Sequence, residues 1–141
     1  MTDIAGIVRQ ALDSINSGDL DGYMSMYAPD CQFIGYPSDV KPTFEGARGF
    51  YAALMSGIPN LTVEPIDLFA AGQRVVVRYN ITGDHMGELF GSAATGHSIA
   101  VEGLTILYFQ DDKVAYRINR TDEIALLTQV GIIATPSSTS G

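Results

Sequence analysis

The chain of 141 residues has one cysteine, Cys31, and only eight lysines and arginines against sixteen acidic residues. A lone cysteine excludes a disulfide framework and a cysteine-based zinc site. A formal net charge of −8 leaves no basic stripe to neutralise phosphates, so neither a nucleic acid nor an anionic membrane is expected as a partner. The two histidines, His85 and His97, lack neighbouring paired ligands, so no metal is expected. There is no phosphate-binding glycine loop, no Gly-x-Ser-x-Gly elbow and no dinucleotide fingerprint. The longest mostly apolar run, Ile124 to Ala134, is broken by Thr128, Gln129 and Gly131. It is far short of the roughly 20 residues a membrane span needs. Met1-Thr2-Asp3 opens without the basic and apolar regions of a signal peptide, and a cytoplasmic location is expected.

The remaining sequence is well patterned. Ile4, Ile7, Val8, Ala11, Leu12 and Ile15 recur at helical spacing behind a Thr2/Asp3 cap, and Asn16-Ser17-Gly18 stops that helix. Asp19 caps a second helix, whose stripe is Leu20, Tyr23, Met24 and Tyr27 and which Pro29 closes. Cys31 to Ile34 reads as a short strand, and Gly35 to Pro42 as a proline-containing loop of the kind that often rims a site. A third helix spans Gly46 to Gly57, with Ala47, Phe50, Tyr51 and Leu54 inward. Leu61 to Phe69 is a strand bulged at Pro65. Arg74 to His85 alternates, with Val75, Val77, Tyr79, Ile81 and His85 on its dry face. After a Gly/Ala/Ser/Thr-rich loop from Gly87 to His97, Ile99 to Phe109 is nearly apolar throughout and should be central. A polar turn, Gln110 to Lys113, leads to a strand from Val114 to Asn119. A last helix starts at a Thr121 or Asp122 cap, carries Ile124, Leu127 and Val130, and ends at Gly131.

This order predicts an α+β domain: a cone-shaped, curved, mainly antiparallel sheet with N-terminal helices on its concave side and a ligand pocket at the open mouth. Residues 1–134 form the expected single domain, and 135–141 a disordered polar tail.

Several stretches carry a resemblance: Asn16-Ser17-Gly18-Asp19-Leu20, Tyr27-Ala28-Pro29-Asp30, Gly83-Asp84-His85-Met86-Gly87-Glu88-Leu89-Phe90-Gly91, Thr95-Gly96-His97, and Lys113-Val114 through Leu126-Leu127-Thr128-Gln129-Val130-Gly131. In this order and spacing the chain resembles the SnoaL-like polyketide cyclases, of the superfamily that also holds ketosteroid isomerase, scytalone dehydratase and nuclear transport factor two. The resemblance implies a homodimer, an apolar pocket and no cofactor. It also implies an aspartate near the end of the last strand as general acid/base in an intramolecular aldol closure. The matching position here is Asn119, and an amide cannot take that proton. Either the base has moved, or the reaction differs, or the protein binds without catalysis.

The candidate catalytic residues are therefore His85, Asn119, Arg117 and Asp122. His85 matches a histidine of the resemblance; an imidazole suits a base near neutral pH, or it ties down the following loop. Arg117 shares a face with Asn119 and could hold a carboxylate or a developing oxyanion, or else pair with an acidic neighbour. Asp122 is a helix cap or a displaced acid/base. Tyr36, Tyr51, Tyr79, Phe33, Phe50 and Thr105 are the expected substrate-binding set, although aromatic residues such as Tyr36 and Tyr51 are more often core. Asp67 and Glu102 are ambiguous by strand parity and could serve as a base if buried. His97 is expected to be exposed. The expected activity is a cofactor-independent cyclase or isomerase acting on an apolar polyketide-type substrate of secondary metabolism. The alternatives are a hydratase, dehydratase or epoxide-opening cyclase, and a non-catalytic small-molecule binder.

Overall fold

The computed structural model describes residues 2–129. The chain runs α1 (Ile4–Asn16), α2 (Leu20–Met24), β1 (Tyr27–Ile34), α3 (Phe44–Gly57), β2 (Thr62–Ala71), β3 (Arg74–Asp84), β4 (Ser98–Gln110), β5 (Lys113–Thr121) and α4 (Glu123–Gln129). The strands form one curved, unclosed sheet in the order β1-β5-β4-β3-β2. Only β1 and β5 run parallel; the other neighbours are antiparallel. The α+β expectation therefore holds. The expected end of the last helix at Gly131 and the tail from Thr135 lie outside the described residues.

Local chemistry sets the boundaries. Asp3, Asp19 and Thr43 each accept a hydrogen bond from the backbone N–H three residues on, capping α1, α2 and α3. After α1 the chain turns at Gly18, which has φ +83°, a conformation that favours glycine. The bulge in β2 falls between Pro65 and Asp67, where the register shifts.

The largest departures from the sequence reading are at the second helix and the first strand. The second helix ends at Met24, and Tyr27 opens β1 rather than closing a helix. Pro29 lies inside β1, where the pairing with β5 is interrupted between Tyr27 and Gln32. A proline without an N–H is tolerated there because β1 is an edge strand at an irregularity.

β4 is the central strand, as expected, yet its two faces differ. Ile99, Val101, Gly103, Thr105, Leu107 and Phe109 are buried, whereas Leu104 is 46% exposed. One face of the sheet carries the core and meets α1, which packs on β2 and β3. The other face carries Arg78, bonded to Asp67 at 2.7 Å and to Glu102 at 3.4 Å. Phe69 and Ile66 are also exposed.

Candidate active site

Between the inner face of the sheet, α1, α3 and α4 lies a cavity of about 310 Å³. Its walls are mainly apolar: Val8, Leu12 and Ile15 from α1, Leu54 from α3, Val63, Val77, Ile81, Val101 and Leu107 from the sheet, and Leu126 and Leu127 from α4. It reaches the surface at Asp39 and Phe90, both exposed.

The polar floor is built by strand parity. Arg117 and Asn119 are two apart on β5 and share a face; Thr105 is the β4 partner of Asn119. Tyr79, on the next strand, stands opposite Gly103, and a side chain at 103 would fill the space its ring occupies. The Tyr79 hydroxyl donates to Asn119 Oδ1 at 2.6 Å, and Asn119 Nδ2 donates to Thr121 Oγ1 at 3.0 Å. With its proton committed to Asn119, Tyr79 accepts from Thr121 at 3.0 Å, which closes the ring of bonds. Arg117 Nη2 also donates to Asn119 Oδ1, at 3.0 Å. The amide oxygen thus meets two donors, and one Asn119 N–H remains for a ligand.

Arg117 itself is buried. Its Nε donates to Thr105 Oγ1 at 2.9 Å, and its Nη1 to the hydroxyls of Tyr23, at 2.6 Å, and Tyr27. Tyr23 and Tyr27 bond each other at 2.8 Å, and Tyr36 and Tyr51 do so at 2.5 Å. The guanidinium also lies 5.8 Å from the Tyr36 ring centroid and 5.9 Å from that of Tyr51. Burial pushes Tyr27, Tyr36 and Tyr51 well above the ordinary tyrosine range, with Arg117 pulling the other way.

Cys31, buried on β1, is pushed up to about 12, chiefly by burial. These groups hold their protons longer in the folded chain than in the unfolded one. Stability is then complete below about pH 9 and falls as pH rises, because the unfolded thiol and phenols ionise first. The thermal midpoint should decline steadily from pH 9 upward; a flat alkaline profile would contradict this burial.

The floor thus unites Arg117, Asn119, Thr105 and Tyr79, and the wall adds Tyr36, Tyr51 and Phe50. Phe33 lies outside the lining: it is 1% exposed, its ring packed at 4.8 Å from Tyr27 and 5.8 Å from Tyr36. It supports Tyr36, a lining residue, from behind.

His85 is fully buried beyond Ile81 on β3, and is not part of the cavity wall. Its Nδ1 stands 2.9 Å from Thr95 Oγ1, its N–H donates to the His97 carbonyl, and its own carbonyl accepts from Gly96. These bonds tie the following loop, the structural alternative named for it above. His97 is exposed, as expected.

Asp122 accepts from the Ala125 N–H at 3.0 Å, capping α4, and stands outside the cavity. Asp67 and Glu102 are exposed on the outer face with Arg78, so neither is the buried base considered for them. Among the described residues, Arg117 has none of the acidic partners considered for it.

Among the lining residues not assigned to the site from sequence are Tyr23, Asp39, Phe90 and Thr121, the last read only as a helix cap. Tyr23 was assigned only to a helical stripe. Asp39 sits in the proline-containing loop, the one signal that could have found it. Phe90, at φ +52°, stacks on Phe50 with centroids 6.1 Å apart. Asp39 is the one carboxylate on the wall among the described residues. No cluster of metal ligands occurs among them either, and no helix is long and apolar enough to cross a membrane.

An apolar cavity with a few convergent polar groups, cut into the inner face of a curved sheet, has the form that small-molecule sites commonly take. The model for SnoaL-like polyketide cyclases matches residues 5–130, and the chain belongs to that family. The fold is shared with solved structures. AclR from Streptomyces galilaeus, which carries a provisional hydroxylase assignment, is 22% identical with a TM-score of 0.85, over 96% of this chain and 85% of that one. TsrD from Streptomyces laurentii is 21% identical with a TM-score of 0.81, over 94% and 99%. A SnoaL-like polyketide cyclase from Agrobacterium tumefaciens is 19% identical with a TM-score of 0.75, over 93% and 100%. No curated protein sequence matches the chain. Family and fold together support a cyclase-type function.

Proposed function

We propose that this chain is a cofactor-independent cyclase or isomerase of secondary metabolism, closing or rearranging an apolar, oxygenated polyketide-type skeleton by acid–base chemistry. The observation that carries this reading is the polar floor of Arg117, Asn119, Tyr79 and Thr121 at the base of an otherwise apolar cavity. The walls hold a flexible substrate near its closing geometry, which removes much of the entropic barrier. Arg117 and the remaining Asn119 N–H stabilise the oxygen that gains charge. Asp39, reaching the wall from the rim, takes the proton that Asn119 cannot. Such a ring closure is redox-neutral and calls for no electron carrier.

The test uses a linear poly-β-ketone ester with cyclised product as the readout. Asp39→Asn should lower kcat by about tenfold to a hundredfold with little change in KM. An unchanged kcat would remove Asp39 from the mechanism. A second reading, binding without turnover, is favoured by the full engagement of the Asn119 oxygen. A ligand recovered unchanged after long incubation with the wild-type protein would establish it.

The homodimer implied by the resemblance is proposed for the outer face of the sheet, where Leu104, Phe69 and Ile66 are exposed. Light scattering should then give twice the chain mass, with Leu104→Lys giving the monomer. A monomeric wild type would remove this proposal.

A further inference from the structure

Among the described residues, Arg117 is a charge without a counter-ion. It is 5% exposed, and the side chains it bonds, Thr105, Tyr23, Tyr27 and Asn119, are all uncharged acceptors. The salt bridges found among the described residues belong to Arg48 and Arg78. A guanidinium does not deprotonate in proteins. Taking it out of water costs several kcal/mol, which neutral acceptors offset only in part. The phenols do not supply the missing charge, since burial keeps Tyr27, Tyr36 and Tyr51 protonated at neutral pH.

Asp39 is exposed at the rim and shares no hydrogen bond or salt bridge with Arg117. Position 119 is decisive. A carboxylate there would stand 3.0 Å from Nη2 and close an ion pair; the amide leaves the charge open. Four of the five guanidinium N–H groups are engaged, and one on Nη2 remains uncommitted. Both Arg117 and Asn119 line the cavity.

We propose that the cavity takes its ligand as an oxyanion: a ring-sized apolar body with one acidic oxygen, either a carboxylate or the ionised oxygen of an acidic phenol or enol, seated on Arg117. This rests on the cavity being the ligand site of the proposed function, and it specifies the substrate class. A carboxylate arrives already charged. A phenol or enol gives its O–H proton to solvent on binding, and no other bond changes. In the second case the floor itself favours the enolate, which lessens the demand on any base.

The experiment is calorimetric titration of the full chain at neutral pH with naphthoate, naphthol and the neutral isostere naphthylmethanol. Naphthoate or naphthol should bind at least about tenfold more tightly than naphthylmethanol. Titration in two buffers of different ionisation enthalpy separates the sources. Proton release with naphthol marks the phenolate, and tight naphthoate binding without it marks the carboxylate. Asn119→Asp, nearly isosteric, sets a carboxylate beside the guanidinium and should abolish the preference. Arg117→Met should do the same, with its unfolding curve showing that the variant is folded.

Several results would overturn the proposal: equal affinity for the charged and neutral ligands in the wild type, a preference that survives both variants, or no binding of any of the three at millimolar concentration. So would a tyrosinate absorbance band at neutral pH in the ligand-free protein, because the chain would then supply its own anion. Binding is read without turnover, so failure of the Asp39→Asn kinetics and failure of this proposal are separate outcomes.

Discussion

Gly35→Val is expected to lower the unfolding free energy by about 3 kcal/mol or more and to take activity with it. Gly35 follows the last residue of β1 and has φ +92°, where a β-branched side chain is strained. A Cβ at this position would also overlap the Asn119 carbonyl oxygen, which accepts from Arg120 Nη1 at 2.9 Å. Neither the strain nor the overlap can be relieved by a rotamer change, because both involve backbone. The chain would have to draw the segment bearing Tyr36, Pro37 and Asp39 away from β5. All three line the cavity, as does Gly35 itself. Chemical denaturation gives the stability change, and a loss below about 1 kcal/mol would mean that this junction is looser than described.

Arg117→Met should have the opposite profile. Turnover should fall by about a hundredfold to a thousandfold, the scale expected for removing a preorganised group that stabilises a developing oxyanion. The unfolding free energy should stay within about 1.5 kcal/mol of wild type or rise. Replacing a buried charge by an apolar side chain of similar volume is often neutral or stabilising, provided its partners are not orphaned. Here each partner keeps another bond. Tyr23 and Tyr27 hold one another, Thr105 donates to the Ile118 carbonyl at 2.8 Å, and Asn119 Oδ1 still accepts from Tyr79. Unfolding curves and kcat/KM together decide the matter. A variant that loses several kcal/mol of stability but turns over normally would make Arg117 a structural residue.

The sheet was readable because one face is buried and the side-chain period is two. Val75, Val77, Tyr79 and Ile81 alternate as the burial does, and the same rule brought Arg117 and Asn119 to one surface. Parity settles which face a residue joins, but not how deep it lies. His85 continues the parity of β3 just past its end at Asp84 and falls beyond the cavity, because the wall on that strand runs from Val77 to Ile81. Phe33 is likewise interior but sits behind the lining. Asp67 could not be resolved by parity at all, since the bulge after Pro65 resets the register just before it.

Tyr27 continued the helical spacing of Leu20, Tyr23 and Met24 although the chain had already become a strand. Its hydroxyl still meets Tyr23 and Arg117, so the apolar spacing reported a shared interior rather than a shared helix. Asp39 was not legible beyond its loop. Tyr36-Pro37-Ser38-Asp39 announces turn chemistry, and only the folded chain places that turn over the mouth of the cavity.

The most direct measurement is a crystal structure of the full chain soaked with an aryl carboxylate of naphthalene size. The account predicts the carboxylate within hydrogen-bond distance of the Arg117 guanidinium, with the rings lying between Leu107, Val77 and Phe50. A ligand with its carboxylate turned out toward solvent, or a cavity left empty at saturating concentration, would contradict it.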